Sequence, residues 1–178
     1  MRYWIRHDRP ELPDHICYGW LDLPLAIPVE QTLQTLPELP HGLPIFTSPL
    51  QRCCLLAESL AETQSETLSE SMAGSIEVEC LTSLQEVHFG RWEGVRWDDV
   101  PREELDAWAA DPFGYQFPQG ESVPAFIERI RLMLNSLPAD AIIITHAGVI
   151  RAALHLSQSI TLAEAFDRRI DFAQCLRF

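Results

Sequence analysis

Three places in the sequence put basic or polar side chains at the end of an apolar run. They are Arg6 and His7 at the end of RYWIR, Ser48, Pro49 and Arg52 at the end of PIFTS, and His146 and Gly148 at the end of AIIITH. In open α/β sheets, ligands bind outside the carboxyl ends of the strands. If the three runs are neighbouring strands, these groups converge in one cationic crevice that would bind an anion.

Arg52 points most directly to a phosphate ester. Pro49 is typical of the first turn of a helix and Ser48 of its cap, so we expect Arg52 near a helix N-terminus whose free amides favour an anion. The planar fork of an arginine matches phosphate oxygens in bidentate fashion. Singly, each residue is more often a surface or capping group, but their coincidence at three strand ends favours a phosphate site.

The elements that must position these residues alternate along the chain. Four apolar runs predict strands at residues 2–6, 44–48, 141–146 and 174–178. The clearest helical pattern covers residues 122–137, behind a Ser122 cap. Residues 61–79, rich in Glu, Ser and Thr, predict a helix end and a solvated loop. Strands alternating with helices predict an α/β sheet covered on both faces.

The composition excludes several classes of partner. The chain has 178 residues and a net charge of -13, so nucleic acid and anionic membranes, which attract basic surfaces, are not expected to bind. This length predicts one domain, residues 1–178. No stretch approaches the roughly 20 apolar residues of a membrane helix, and we expect a cytoplasmic location. The five cysteines show no metal-binding spacing and are interpreted as reduced thiols.

Six segments, in order, resemble the histidine phosphatase superfamily, the phosphoglycerate mutase-like proteins. They are IRH at 5–7, CYGWLDLPLA at 17–26, TSPLQRC at 47–53, LQEVHFGRWEG at 84–94, GES at 120–122 and THAGVIRA at 145–152. The resemblance covers nearly the whole chain. Residues 17–26 and 92–122 look most like the alpha-ribazole phosphatase branch, whose members dephosphorylate alpha-ribazole 5'-phosphate in cobalamin synthesis.

The resemblance implies a role for each site residue. It makes His7 the nucleophile that carries a phosphohistidine intermediate, and Glu86 the proton donor. The phosphoryl-binding groups that it implies are Arg6, Arg52 and His146. We add Ser48 and Gly19 as further substrate-binding candidates. His146 would act either protonated or, if neutral, as the donor of one hydrogen bond.

The resemblance also implies the architecture and the ligands. The expected fold is a three-layer αβα sandwich with a mostly parallel mixed sheet, whose antiparallel edge strand residues 174–178 could supply. No metal and no organic cofactor is implied. The expected partner is a small phosphorylated metabolite, and a homodimer is left open.

Two departures from the family pattern stand out. The usual RHG reads Arg6-His7-Asp8, and an inward Asp8 carboxylate would repel a phosphate. We therefore expect Asp8 to turn outward or to pair with a cation such as Arg9. The usual LT..G..QA pattern is absent from residues 26–36, which affects helix packing rather than the catalytic set.

Four aromatic residues are candidates for the leaving-group pocket: Trp97, Trp108, Phe113 and Tyr115. We expect at least one to line it, Trp97 being the named candidate, because a flat base stacks well on aromatic rings. Packing in a helix core is an equal alternative for each of them.

The predicted function is a phosphomonoesterase, with alpha-ribazole 5'-phosphate as the expected substrate. A broad-specificity phosphatase would use the same site. A phosphoglycerate mutase is a more distant alternative, since the chain is short of insertions that would enclose a reorienting product. A binding module inactivated by Asp8 is the alternative from another class.

Overall fold

The computed structural model of the protein describes residues 1–67 and 76–178. The strands are β1 (Arg2–Arg6), β2 (Ile45–Thr47), β3 (Val78–Cys80), β4 (Ala141–Thr145) and β5 (Cys175–Arg177). The α-helices are α1 (Val29–Thr35), α2 (Gln51–Thr67), α3 (Arg102–Ala110), α4 (Val123–Ser136), α5 (Ala147–Gln158) and α6 (Leu162–Asp167). Three short 3₁₀ turns, Thr82–Leu84, Gly90–Trp92 and Trp97–Asp99, lie between β3 and α3.

The strands form one sheet in the order β3-β2-β4-β1-β5. The strands β1 to β4 pair in parallel, and β5 pairs antiparallel with β1 at one edge. This topology confirms the predicted fold class, including the antiparallel edge strand. The predicted helix at 122–137 is also confirmed as α4, and the hydroxyl of Ser122 accepts from the amide of Ala125 at 3.2 Å.

Every residue of β4 is buried, and successive side chains of a strand point to opposite faces. Both faces of the sheet are therefore covered by helices. Ile143 packs in a cluster with apolar residues of α4 and α5. Ile142 and Ile144 pack in a second cluster with residues of α1 and α2. The result is the predicted three-layer arrangement, with β4 central in it.

The register of the central strands brings their carboxyl ends together. The amide of His7 donates to the carbonyl of Thr145 at 2.9 Å, and the amide of Ser48 donates to the carbonyl of Ile144 at 3.0 Å. The residues that follow β1, β2 and β4 therefore lie side by side at one edge of the sheet. This is the convergence that the sequence predicts.

The start of α2 differs from the prediction. The helix begins at Gln51 rather than at Pro49, and its first amide donates to Oδ1 of Asp22 at 2.8 Å. The hydroxyl of Ser48 accepts from the amide of Leu50 at a long 3.4 Å, so Ser48 is not the main acceptor at this helix end.

The predicted helix end and loop at 61–79 is right in part. Helix α2 is described as far as Thr67, and residues 78–80 form β3. This strand was missed because Glu79 and Cys80 are exposed, so it shows no apolar run. Residues 68–75 of this prediction lie outside the described residues. Among residues 1–67 and 76–178, no helix has the length and apolar character needed to cross a membrane.

Candidate active site

His7 follows β1 and is nearly buried, with 2% of its surface exposed. Its Nδ1 lies 2.6 Å from the main-chain oxygen of Asp8. Because a carbonyl oxygen can only accept a hydrogen bond, Nδ1 carries the proton and Nε2 keeps its lone pair. Burial, and then the charge of Arg52, lowers the pKa of His7 well below its usual value. The imidazole is therefore neutral, with its lone pair on Nε2.

Arg52, in the first turn of α2, is fully buried beside His7. Its Nη2 donates to the carbonyl of Gly19 at 2.7 Å and its Nη1 to that of Leu21 at 2.8 Å, while Nε lies a longer 3.3 Å from Nε2 of His7. Among the described residues, no carboxylate forms an ion pair with this guanidinium. Its charge is therefore available to an anion.

Glu93 organises the loop that holds Arg52. Its carboxylate accepts hydrogen bonds from the amides of Gly19 at 3.1 Å, Trp20 at 2.8 Å and Leu21 at 2.6 Å. These bonds aim the carbonyls of the loop at Arg52. Sequence reasoning did not single out Glu93, although it lies in the segment LQEVHFGRWEG that carries the family resemblance.

His146, the residue before α5, is 1% exposed. Its Nε2 lies 2.8 Å from the hydroxyl of Ser48, which can donate as well as accept. Burial, and then the proximity of His7 and Arg52, lowers the pKa of His146 well below its usual value. Its Nδ1 lies 3.4 Å from Nη2 of Arg52, and an arginine N–H can only donate, so the lone pair of the ring lies on Nδ1 and Nε2–H donates to Ser48. A lone pair that faces a guanidinium favours the neutral ring over the charged one.

Arg6 ends β1 and stacks over the ring of Phe172, with 3.8 Å between the guanidinium carbon and the ring centre. Its Nη1 donates to the carbonyl of Ile170 at 2.6 Å. Its Nε is buried and, within the described part of the chain, makes no hydrogen bond. Because an unsatisfied buried donor is costly, this group favours a ligand rich in acceptor oxygens.

Glu86 is held by hydrogen bonds on both its carboxylate and its main chain. Oε2 accepts from the amide of Gly148 at 2.9 Å, and Oε1 from the amide of Val87 at 3.1 Å. A Cβ atom at position 148 would collide with this carboxylate, so a side chain there would displace Glu86. The carbonyl of Glu86 accepts from Nε1 of Trp20 at 2.7 Å and from Nη2 of Arg129 at 3.2 Å.

The carboxylate of Asp8 turns away from these groups. Its Oδ2 accepts from the hydroxyl of Thr32 at 2.7 Å, and its Oδ1 from the main-chain amide of Arg9 at 2.6 Å. The guanidinium of Arg9 pairs instead with Asp14 at 2.6 Å. The outward orientation that the sequence left open is therefore found, whereas the pairing with the Arg9 side chain is not.

Two adjoining cavities open between these residues. The first, of about 210 Å³, has a polar lining that includes Arg6, His7, Tyr18, Arg52, Glu86 and His146; we call it the polar cavity. The second, of about 420 Å³, has walls that include Phe89, Trp97, Trp108, Phe113, Phe117 and Phe166; we call it the aromatic cavity. Glu86, Phe89, Trp97 and Arg151 border both, so the two form one elongated site.

The structure brings most of the predicted site residues together. The five that line the polar cavity are Arg6, His7, Arg52, Glu86 and His146. Trp97 borders both cavities, and Trp108 and Phe113 line the aromatic one. Tyr115 does not line it and packs 5.8 Å from the ring of Trp92 instead. Gly19 and Ser48 border neither cavity, and they contact Arg52 and His146, which do.

Among the polar residues that line the polar cavity, two were not singled out by sequence reasoning. Tyr18 lies in CYGWLDLPLA, and Arg151 lies in THAGVIRA, five residues after His146. Both segments carry the family resemblance. That signal marks the segments but does not show which of their side chains face the cavity.

Comparison with known proteins identifies the same superfamily that the sequence motifs resemble. The model of the "Histidine phosphatase superfamily (branch 1)" matches residues 3–177. No curated protein sequence matches the chain at a significant level. The solved structure of the Thermus thermophilus protein TTHB049 is similar at 28% identity, with a TM-score of 0.72 over 98% of this chain and 90% of that one.

Two other solved structures are similar. A phosphoglycerate mutase from Thermus thermophilus shares 32% identity over 86% of this chain and 82% of that one, with a TM-score of 0.62. A candidate alpha-ribazole-5'-P phosphatase from Escherichia coli has a TM-score of 0.79 over 98% of this chain and 87% of that one. Its identity is 22%, so it supports the fold alone.

Proposed function

This chain belongs to branch 1 of the histidine phosphatase superfamily, and from that premise we propose that it is a phosphomonoesterase that works through phosphohistidine on His7. One observation carries the proposal: the neutral imidazole of His7, with its lone pair on Nε2, borders a cavity that Arg6 and Arg52 also line. A neutral nucleophile avoids the repulsion that an anionic one would meet at a phosphate dianion.

In the first step of the proposed reaction, Nε2 of His7 forms a bond to phosphorus as the bond to the ester oxygen breaks. Glu86 gives its proton to the departing alkoxide. In the second step, the Glu86 carboxylate takes a proton from water, whose oxygen attacks phosphorus and breaks the bond to nitrogen. The products are the alcohol, inorganic phosphate and the original enzyme, and the amides of Gly148 and Val87 stabilise the carboxylate that the second step needs.

Charge spreads over the equatorial oxygens during phosphoryl transfer, so preplaced cations stabilise the transition state. We assign this role to Arg52, whose guanidinium is held by loop carbonyls, and to Arg6, whose buried Nε needs an acceptor. A neutral His146, whose Nδ1 faces Arg52, would add no charge to this set. The cationic charge therefore comes from the two arginines.

For the substrate we propose alpha-ribazole 5'-phosphate, an intermediate of cobalamin synthesis. The aromatic cavity supports it, because its rings adjoin the polar cavity and would take a flat base. A broad-specificity phosphatase with the same site is the alternative. A cytoplasmic location belongs to the same proposal, and the five unpaired thiols are in keeping with a reducing compartment.

The test is hydrolysis of p-nitrophenyl phosphate and capture of the labelled intermediate. We expect wild type to release phosphate and to form an acid-labile, base-stable phosphoenzyme. His7→Ala should lose both. His15→Asn is the matched control, because His15 is exposed and its left-handed backbone (φ 66°) suits asparagine.

Three outcomes would contradict the proposal. Conversion of 3-phosphoglycerate to its isomer without phosphate release would indicate a mutase. Binding of phosphate esters with no turnover would indicate a binding module. Labelling that persists in His7→Ala would place the nucleophile elsewhere.

A further inference from the structure

Arg151 stands where the two cavities meet. It lies on α5, and its side chain borders the polar cavity together with His7 and the aromatic cavity together with Trp108. Its Nε donates to the carbonyl of Arg168 at 2.9 Å, which fixes the plane of the guanidinium. In the part of the chain that the structure describes, Nη1 and Nη2 make no hydrogen bond, so two amino groups are available to a ligand at the junction.

The charges around the junction restrict the kind of ligand. Glu86 and Asp167 border the aromatic cavity as well, and Arg151 is the one basic residue on that wall among the described residues. Because Glu86 must carry a proton to act as the acid when substrate binds, the charged residues of this wall among the described ones are Asp167 and Arg151, whose charges cancel. A second anionic group on the substrate would therefore find no net positive charge here and would be repelled by Asp167, whereas neutral hydroxyl or ether oxygens could accept from Arg151 without that repulsion.

The chemical groups of the site follow one another in a fixed order from the polar cavity to the aromatic cavity. Phosphoryl-binding groups lie at one end, aromatic walls at the other, and Arg151 lies between them beside Glu86. A substrate that fills this site has a phosphate, then a short neutral segment with acceptor oxygens, then a flat apolar ring. A ribosyl 5-phosphate that carries an aromatic base has this order.

We propose that Arg151 is a specificity-determining residue, which binds the neutral sugar oxygens of the leaving group and selects ribosyl monophosphates over esters with a second anion. The inference rests on the proposed phosphomonoesterase function and deepens it. The sugar would lie next to Glu86, which places its 5'-oxygen within reach of the proposed proton donor.

The test compares substrates within each variant. We expect Arg151→Met to lower the ratio of kcat/KM for ribose 5-phosphate to kcat/KM for p-nitrophenyl phosphate by about tenfold or more, because hydrogen bonds from a charged donor are lost. The same ratio measured with alpha-ribazole 5'-phosphate should fall equally. Arg131→Met, which removes an exposed arginine of α4 paired with Glu128, is the matched control and should leave both ratios unchanged.

Two results would overturn the inference alone. An unchanged ratio in a folded Arg151→Met protein would show that Arg151 does not bind the sugar, while hydrolysis of p-nitrophenyl phosphate would leave the phosphatase proposal standing. A larger loss with 3-phosphoglycerate than with ribose 5-phosphate would show that Arg151 binds an anion. If wild type hydrolyses none of the esters, both proposals fail together.

A second variant is used if Arg151→Met does not fold, which the lack of a cooperative melting transition would show. Arg151→Lys keeps the charge but loses the planar fork. We expect the same ratio to fall in this variant by a smaller factor. An unchanged ratio here would overturn the inference in the same way.

Discussion

The main-chain oxygen of Asp8 accepts a hydrogen bond from Nδ1 of His7 at 2.6 Å, while the carboxylate of the same residue turns to the hydroxyl of Thr32 at 2.7 Å. The main chain of residue 8 thus orients the proposed nucleophile, and its side chain lies outside the cavity. An aspartate at this position is therefore compatible with catalysis.

Asp8→Asn tests that conclusion. Because the carboxylate points away from the phosphate site, we expect kcat/KM for p-nitrophenyl phosphate to stay within about threefold of wild type, under about 1 kcal/mol of transition-state free energy. Asp8→Ala should also retain activity but lose about 1–3 kcal/mol of unfolding free energy, since the buried Thr32 hydroxyl loses its acceptor. A gain of tenfold or more in Asp8→Asn would show instead that the native charge repels the substrate.

Glu86→Gln should separate the proton donor from the nucleophile. Loss of a general acid typically costs about 10² to 10⁴ in rate, and the cost grows with the basicity of the leaving group. We expect an alkyl phosphate to lose much more kcat/KM than p-nitrophenyl phosphate, measured in the same variant. Glu79→Gln, at an exposed position of β3, is the control. Equal losses on both substrates would remove the acid role from Glu86.

Chelation should leave the activity intact. The charge that a metal ion would supply comes in this proposal from Arg6 and Arg52, and no group of His, Cys, Asp or Glu suited to a metal ion is found in residues 1–67 and 76–178. We expect the same initial rate before and after dialysis against EDTA. Activity that disappears and returns on addition of zinc or magnesium would contradict the mechanism.

The two buried histidines should make stability depend on pH. Burial is the first cause that lowers the pKa of both His7 and His146 in the folded protein, so below about 6.5 the unfolded chain takes up protons that the folded one does not. We therefore expect the melting temperature to fall as the pH drops from 7.5 to 5.5. In the double variant His7→Gln/His146→Gln the fall should be shallower, and an equal slope would refute this origin.

Gly19→Ala should uncouple Arg52 from its loop. A Cβ atom at position 19 would collide with the carbonyl oxygen of Val87, and relief of that clash would move the Gly19 carbonyl that accepts from Arg52. We expect a loss of about 1–3 kcal/mol in unfolding free energy together with a lower kcat/KM. Gly42→Ala, at a left-handed position in open space (φ 77°), should cost stability without this loss of activity. Full activity in Gly19→Ala would contradict the role of the loop.

The sequence by itself determined which segments carry the chemistry. Strands β1, β2 and β4 are buried on both faces, so they read as short apolar runs, and the polar residues at their ends are easily recognised. Arg6, His7, Arg52 and His146 follow from these runs, and Glu86 follows from the family resemblance. Strand β3 was not predicted because two of its three residues are exposed, so it forms no apolar run.

The tertiary structure alone decided how the side chains are oriented. Glu93 binds the amides of residues 19–21 across more than 70 positions of sequence, and Asp8 meets Thr32 across 24. Such contacts produce no periodic pattern in the sequence, because they depend on where separate loops meet above the sheet. The same holds for the aromatic residues, among which Trp97, Trp108 and Phe113 face the cavity and Tyr115 does not. The position of Arg151 between the two cavities likewise depends on the packing of α5 against α6, which the sequence does not show.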